Sequence, residues 1–252
     1  MNAEEKEILS KVPEVTLIFW VIKIFATTLG ETGGDALSMS MHLGYLLSTG
    51  IFAVIFLAAV AVQIRAKKFH PVIYWTTIIA TTTVGTTMAD FADRSLGIGY
   101  AGGTTILLTL LLVSLFTWKQ VLGTVAVDSV RSPRSEMFYW VTIMFSQTLG
   151  TALGDWAADT EGLGYGGGIV LFGTLLALIA AAYYHRKISN TILFWAAFVL
   201  TRPLGAVVGD FLDKPVAHGG LALSRYSASA ALIGAIVFFI FAFPHRPARK
   251  QH

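Results

Sequence analysis

The 252-residue chain contains no cysteine, which excludes disulfides, thiolate metal centres, iron–sulfur clusters and redox-active thiols. It is also poor in charge. Asp, Glu, Lys and Arg make up 13% of its residues, against about 25% in a soluble domain, so the chain lacks the polar surface to cover itself in water. Catalytic signatures are missing too: there is no Walker loop, no His-Glu-x-x-His, no nucleophile elbow and no dinucleotide fingerprint. The expectation is therefore a protein that is not an enzyme. No small-residue cleavage site follows the first apolar run, so a cleavable signal peptide is not expected.

What is abundant is apolar sequence, at 55% hydrophobic residues and a mean hydropathy of +0.67. Apolar runs lie at about 15–34, 44–64, 72–89, 103–121, 137–154, 168–184, 192–208 and 227–243. Each is close to the ~20 residues that cross a ~30 Å hydrocarbon core. This predicts an all-α integral membrane protein with eight transmembrane helices, built as four helical hairpins in a single domain. The repeats run at about 15–68, 70–121, 136–187 and 190–243, with a linker at 122–136. Residues 1–13 read as a polar arm forming a short surface helix that ends at Pro13. Thirteen of the 18 Lys and Arg residues precede the first span, lie between hairpins or fall in the tail, which predicts cytoplasmic N and C termini. The pI near 9.1 is then an orientation signal and not an affinity for nucleic acid. Nine of the 15 acids collect at the other ends of the spans: Glu31, Asp35, Asp90, Asp93, Asp155, Asp159, Glu161, Asp210 and Asp213.

Those acids belong to a template, Trp-x9-Gly-x3-small-Asp, that occurs four times. Trp20 leads to Gly30, Gly34 and Asp35, Trp75 to Gly85, Ala89 and Asp90, Trp140 to Gly150, Gly154 and Asp155, and Trp195 to Gly205, Gly209 and Asp210. Gly-Tyr follows in three copies and Gly219-Gly220 in the fourth. The aspartates are 55, 65 and 55 residues apart, which implies two pseudo-symmetric halves. Since every hairpin starts on the same side, the repeats are parallel, and around one axis they would bring four aspartates towards a centre.

The glycines let another backbone approach closely. The aspartates are different, because a carboxylate at the edge of a bilayer is costly and the negative end of its own helix disfavours it further. Together they suit a cation. Thr28, Thr83 and Thr148 stand seven before the aspartate, Glu31 four before Asp35, Asp93 and Asp213 three after theirs, and Asp159 four after Asp155. Oxygen ligands without thiols favour Mg²⁺, Ca²⁺ or Mn²⁺. His42 and His218 read as exposed loop residues. Lys23 and Arg202 fall mid-span and are expected to pair with acids as internal counter-charges, while copy three carries Gln147. Arg202 and Arg225 would instead anchor an anionic solute. The tryptophans read as an interfacial aromatic belt.

The fourfold Gly-x3-Gly-Asp pattern with trailing Gly-Tyr resembles a family of uncharacterised bacterial multi-pass membrane proteins over nearly the whole chain. A fainter similarity, on Glu31-Thr32-Gly33-Gly34-Asp35, is to Golgi-type manganese/calcium cation exporters. Their Glu-x-Gly-Asp here has an extra residue between the acids, and that resemblance implies Glu31 and Asp35 as ligands. The expectation is a divalent-cation transporter of the bacterial inner membrane, manganese or magnesium first, coupled to protons. Asp35, Asp90, Asp155 and Asp210 would be metal ligands, with Glu31, Asp93, Asp213 and Asp159 assisting and Lys23 and Arg202 as counter-charges. The partners would be the lipid bilayer and the ion, with no cofactor beyond that substrate, no nucleic acid, and homo-oligomerisation left open. The alternatives are a transporter of a small organic or anionic solute and a non-transporting membrane sensor or assembly module.

Overall fold

The computed structural model describes residues 9–160, 162–185 and 187–248, and helices carry nearly all of them. These are α1 (Leu17–Asp35), α2 (Gly44–Arg65), α3 (Pro71–Asp90), α4 (Tyr100–Leu122), α5 (Pro133–Asp155), α6 (Gly164–His185), α7 (Asn190–Asp213) and α8 (Arg225–Ala242). In the first three repeats the odd helix runs on into a π-turn, at Ala36–Ser40, Phe91–Ser95 and Trp156–Thr160. Local sequence fixes the ends. The Thr16 hydroxyl accepts from the Phe19 N–H at 3.3 Å and starts α1. Pro71 and Pro133 occupy first-turn positions of α3 and α5, where the missing N–H costs nothing. Gly123, at φ 77°, closes α4.

Among the described residues five helices, α2, α4, α6, α7 and α8, are long and apolar enough to cross a membrane, as in a multi-pass membrane protein. Four of them leave most of their surface uncovered by protein; α7 is mostly buried. It belongs to an inner ring in which α1 packs on α3, α3 on α5, α5 on α7 and α7 on α1. The other ring members are more polar because their threonines, glycines and acids face inwards. In α3 the hydroxyls of Thr77, Thr83 and Thr86 donate to carbonyls four residues earlier at 2.8, 2.8 and 3.1 Å, so these polar groups are satisfied within the helix.

Each even helix packs on the odd helix of the next copy: α2 on α3, α4 on α5, α6 on α7, and α8 back on α1. The repeats therefore interlock, and the last one closes onto the first. Chain ends fasten the closure, with the Glu14 N–H donating to Arg246 O and the Ala248 N–H to Val12 O, both at 2.8 Å. Residues 9–13 are not helical; the rest of the expected surface helix, residues 1–8, lies outside the described residues.

Equivalent positions meet at equal heights, so the inner helices run parallel. Ring centroids lie 5.3 Å apart for Phe19 and Trp75, 5.8 Å for Tyr74 and Trp140, 6.3 Å for Tyr139 and Trp195, and 5.9 Å for Phe194 and Trp20. The aromatic preceding each tryptophan thus packs on the tryptophan of the next copy. Trp75, Trp140 and Trp195 are buried, which corrects the expectation of an interfacial belt: ring closure turns these side chains onto the neighbouring repeat.

Candidate functional site

Above the aromatic layer the ring is built from small residues receiving larger ones. A Cβ at Gly30 would overlap the Thr82 side chain, one at Gly150 would overlap Arg202, and one at Gly205 would overlap Thr27. At Gly85 it would press on the Gln147 and Thr148 backbone at 3.0–3.1 Å. Thr27, Thr82, Gln147 and Arg202 each stand eight before the motif aspartate, and each seats on the glycine of the preceding copy. One turn on, Thr86 fills against Gly34, Ala206 against Gly154 and Glu31 against Gly209. The glycines are packing seams, and what they admit differs from copy to copy.

Arg202 is the largest deviation. It is fully buried, and its Nη2 lies 3.0 Å from Glu31 Oε2 and 2.5 Å from the hydroxyls of both Thr86 and Thr151. Those three residues stand four before the aspartate in the other three copies, so one guanidinium joins all four inner helices and closes the axis. The expected pairing with an acid holds for Arg202. Among the described residues Lys23 has no acidic partner: its Nζ meets the Thr201 hydroxyl at 3.4 Å and the Phe198 ring at 4.1 Å. The layer twelve before the aspartate offers Ile78, Ile143 and Phe198 and no carboxylate.

At the aspartate end two bridges join neighbouring copies. Arg94 Nε lies 2.8 Å from Asp90 and its Nη2 3.1 Å from Asp155. Lys214 Nζ lies 3.1 Å from Asp210 and 2.5 Å from Asp35. Burial works against the Lys214 ammonium, but Asp210 and Asp35 outweigh it and hold the amine well above its usual pKa. Arg225 adds a second cation to Asp35 at 3.6 Å and bonds Asp213 at 2.7 Å. Asp159 accepts from the Tyr100 hydroxyl at 3.2 Å. Asp93 is buried against Gly103; burial, with Asp155 adding to it and Arg94 opposing, pushes its carboxyl up to about 6.

The four motif aspartates do not form one shell. Glu31, Asp35 and Asp210, all buried, each offer an oxygen within 4.8 Å of the others, while Asp90 and Asp155 sit with Arg94. Thr28, Thr83 and Thr148 donate to carbonyls of their own helices at 3.0, 2.8 and 2.9 Å and so are already engaged. His42 and His218 are exposed, as loop positions imply. Glu161 lies outside the described residues. Arg94 has no place in the sequence reading, yet a signal for it exists: copies two and four alone carry a base four residues after the aspartate, Arg94 and Lys214.

Two cavities lie towards opposite ends of the helices. One, of about 380 Å³, forms a cup at the aspartate end lined by Arg94, Asp159, Tyr165, Lys214 and His218. The other, of about 620 Å³, lies between α1, α6 and α7 towards the opposite end and reaches Thr201, the hydroxyl that Lys23 meets. Among the described residues from Glu31 and Arg202 up to the aspartate end, seven buried carboxylates (Glu31, Asp35, Asp90, Asp93, Asp155, Asp210 and Asp213) face four cations, Arg94, Arg202, Lys214 and Arg225. Excess buried negative charge is costly unless protons or further cations balance it.

No curated protein and no solved structure matches the chain, and nothing in these comparisons supports the likeness to Golgi-type exporters. The family model for the Repeat of Unknown Function (DUF347) matches residues 18–69, 73–127, 138–189 and 193–247. Four interlocking copies that cover most of the sequence settle its membership: the chain belongs to the DUF347 repeat family.

Proposed function

We propose that the protein is a membrane carrier for a divalent metal cation, manganese or magnesium first, bound at the aspartate end and exchanged for protons. The observation that supports it is the convergence of Glu31, Asp35 and Asp210, three buried carboxylates with oxygens within 4.8 Å of one another. An all-oxygen donor set suits hard cations. In this reading all eight helices span the bilayer of a bacterial inner membrane, with the basic ends in the cytoplasm and the cup facing out. Arg202 joins the four inner helices below the aspartate end, and in this reading transport requires its contacts to rearrange. A second reading rests on Arg94 and Lys214, which both line the cup: an organic solute with an acidic group would meet two cations there.

Metal-dependent thermal stabilisation of the detergent-purified protein, screened with Mn²⁺, Mg²⁺, Ca²⁺ and Zn²⁺, tests the first reading. A cation at a hundredfold its dissociation constant adds about 2.7 kcal/mol to the folded state. A shift with one ion, lost in Asp210→Asn, is expected. No shift with any ion into the millimolar range would count against a cation carrier and favour the organic solute.

A further inference from the structure

We propose that Lys214 is a tethered counter-cation occupying the substrate's charge position, so that a free cation enters by displacing its ammonium from Asp35 and Asp210. The inference rests on the cation-carrier reading and assigns it a specificity-determining residue. Lys214 Nζ contacts two of the three converging carboxylates, while the third, Glu31, is held from below by Arg202. Asp35 is almost fully buried, yet its Oδ1 has no hydrogen-bond partner among the described residues. The pair therefore keeps coordinating capacity that one ammonium does not use.

The other bridge shows why Lys214 is the exchangeable member. Arg94 spans Asp90 and Asp155 with two different nitrogens, a planar fork that matches two acceptors at once. Lys214 presents a single compact charge on a flexible stem, and its side chain lines the cup, which gives the ammonium somewhere to move. Arg225, already bonded to Asp213 and 3.6 Å from Asp35, stays behind when Lys214 leaves. The departing amine and the arriving ion then exchange charge at one place, above the Arg202–Glu31 pair.

The test compares the Mn²⁺ dependence of thermal stability in the full-length wild type, Lys214→Met and Lys214→Arg. Removing a like charge at this distance should lower the half-saturating Mn²⁺ concentration by about tenfold or more. Lys214→Arg keeps the charge and offers a fork in place of a point charge, so it should fold and should raise that concentration. In Lys214→Ala, added n-propylammonium should restore the melting temperature that truncation lowers, with no effect on wild type. If wild type responds to Mn²⁺ and Lys214→Met responds equally or more weakly, the tethered-cation inference is overturned while the cation site stands. If neither protein responds and the amine does not rescue Lys214→Ala, both readings fall.

Discussion

The two bridges at the aspartate end occupy equivalent places in a twofold arrangement, yet they are built differently. Asp90, Arg94 and Asp155 form a closed unit in which one fork serves two acceptors. Asp210, Lys214 and Asp35 form an open one, with Glu31 beneath, Arg225 beside and an unpartnered carboxylate oxygen within. The repeated glycines and aromatics set the ring, and the departures from the repeat set the chemistry. Many of these departures fall where copy four closes onto copy one (Arg202, Lys214, Arg225, Lys23 and Glu31), while Gln147 and Arg94 lie in copies three and two. That seam is where the proposed cation site lies.

Four expected outcomes would break or sharpen this comparison. The largest effect is predicted for Arg202→Met, which leaves Glu31 as an uncompensated buried charge and should cost about 3–5 kcal/mol; pairing it with Glu31→Gln should restore a large part, measured by thermal unfolding in detergent. Gly150→Ala comes next. Its methyl would overlap Arg202, so a loss of about 1–3 kcal/mol is expected, whereas Gly173→Ala on α6, with nothing within 4 Å, should be neutral or slightly stabilising.

Arg94→Met should cost about 1–2 kcal/mol, less than a fully buried break because Arg94 is partly exposed. Asp90 and Asp155 then lack their shared cation, so the loss should shrink as pH falls and the carboxylates take up protons. The smallest effect concerns the residues three after the aspartate. Asp213 is bonded to Arg225, but Asp93 has its pKa raised to about 6 by burial. A raised acid binds its proton more tightly folded than unfolded, so stability is greatest below the unfolded pKa of about 4 and declines as pH rises through 6. Asp93→Asn should flatten the pH–stability curve between those limits.

Much of the scaffold was legible in the sequence, because apolar length and a fourfold template report helices and parallel hairpins directly. The site was legible only in part. Glu31, Asp35 and Asp210 stand out as acids on apolar helices, but their convergence depends on α7 returning to α1, a contact across most of the chain. Arg94 and Lys214 are short-range bases whose second partners, Asp155 and Asp35, lie in other copies, so one repeat read alone does not reveal the bridges. The tryptophans misled because a position near a span's start is the same for a belt and for an inter-repeat layer. What distinguishes them is the aromatic just before each one, Phe19, Tyr74, Tyr139 and Phe194. Lys23 misled for a related reason: pairing was inferred from the cost of a buried charge, whereas aligning the copies shows only Ile78, Ile143 and Phe198 at its level.

The measurement that tests the central claim most directly compares Asp35→Asn with Asp90→Asn in Mn²⁺-dependent thermal stabilisation. These are equivalent aspartates of the repeat, one in the open bridge and one in the closed bridge. The account predicts that Asp35→Asn abolishes the metal response and Asp90→Asn retains it. Equal loss in both, or loss in Asp90→Asn alone, would contradict a site built at the seam between the fourth repeat and the first.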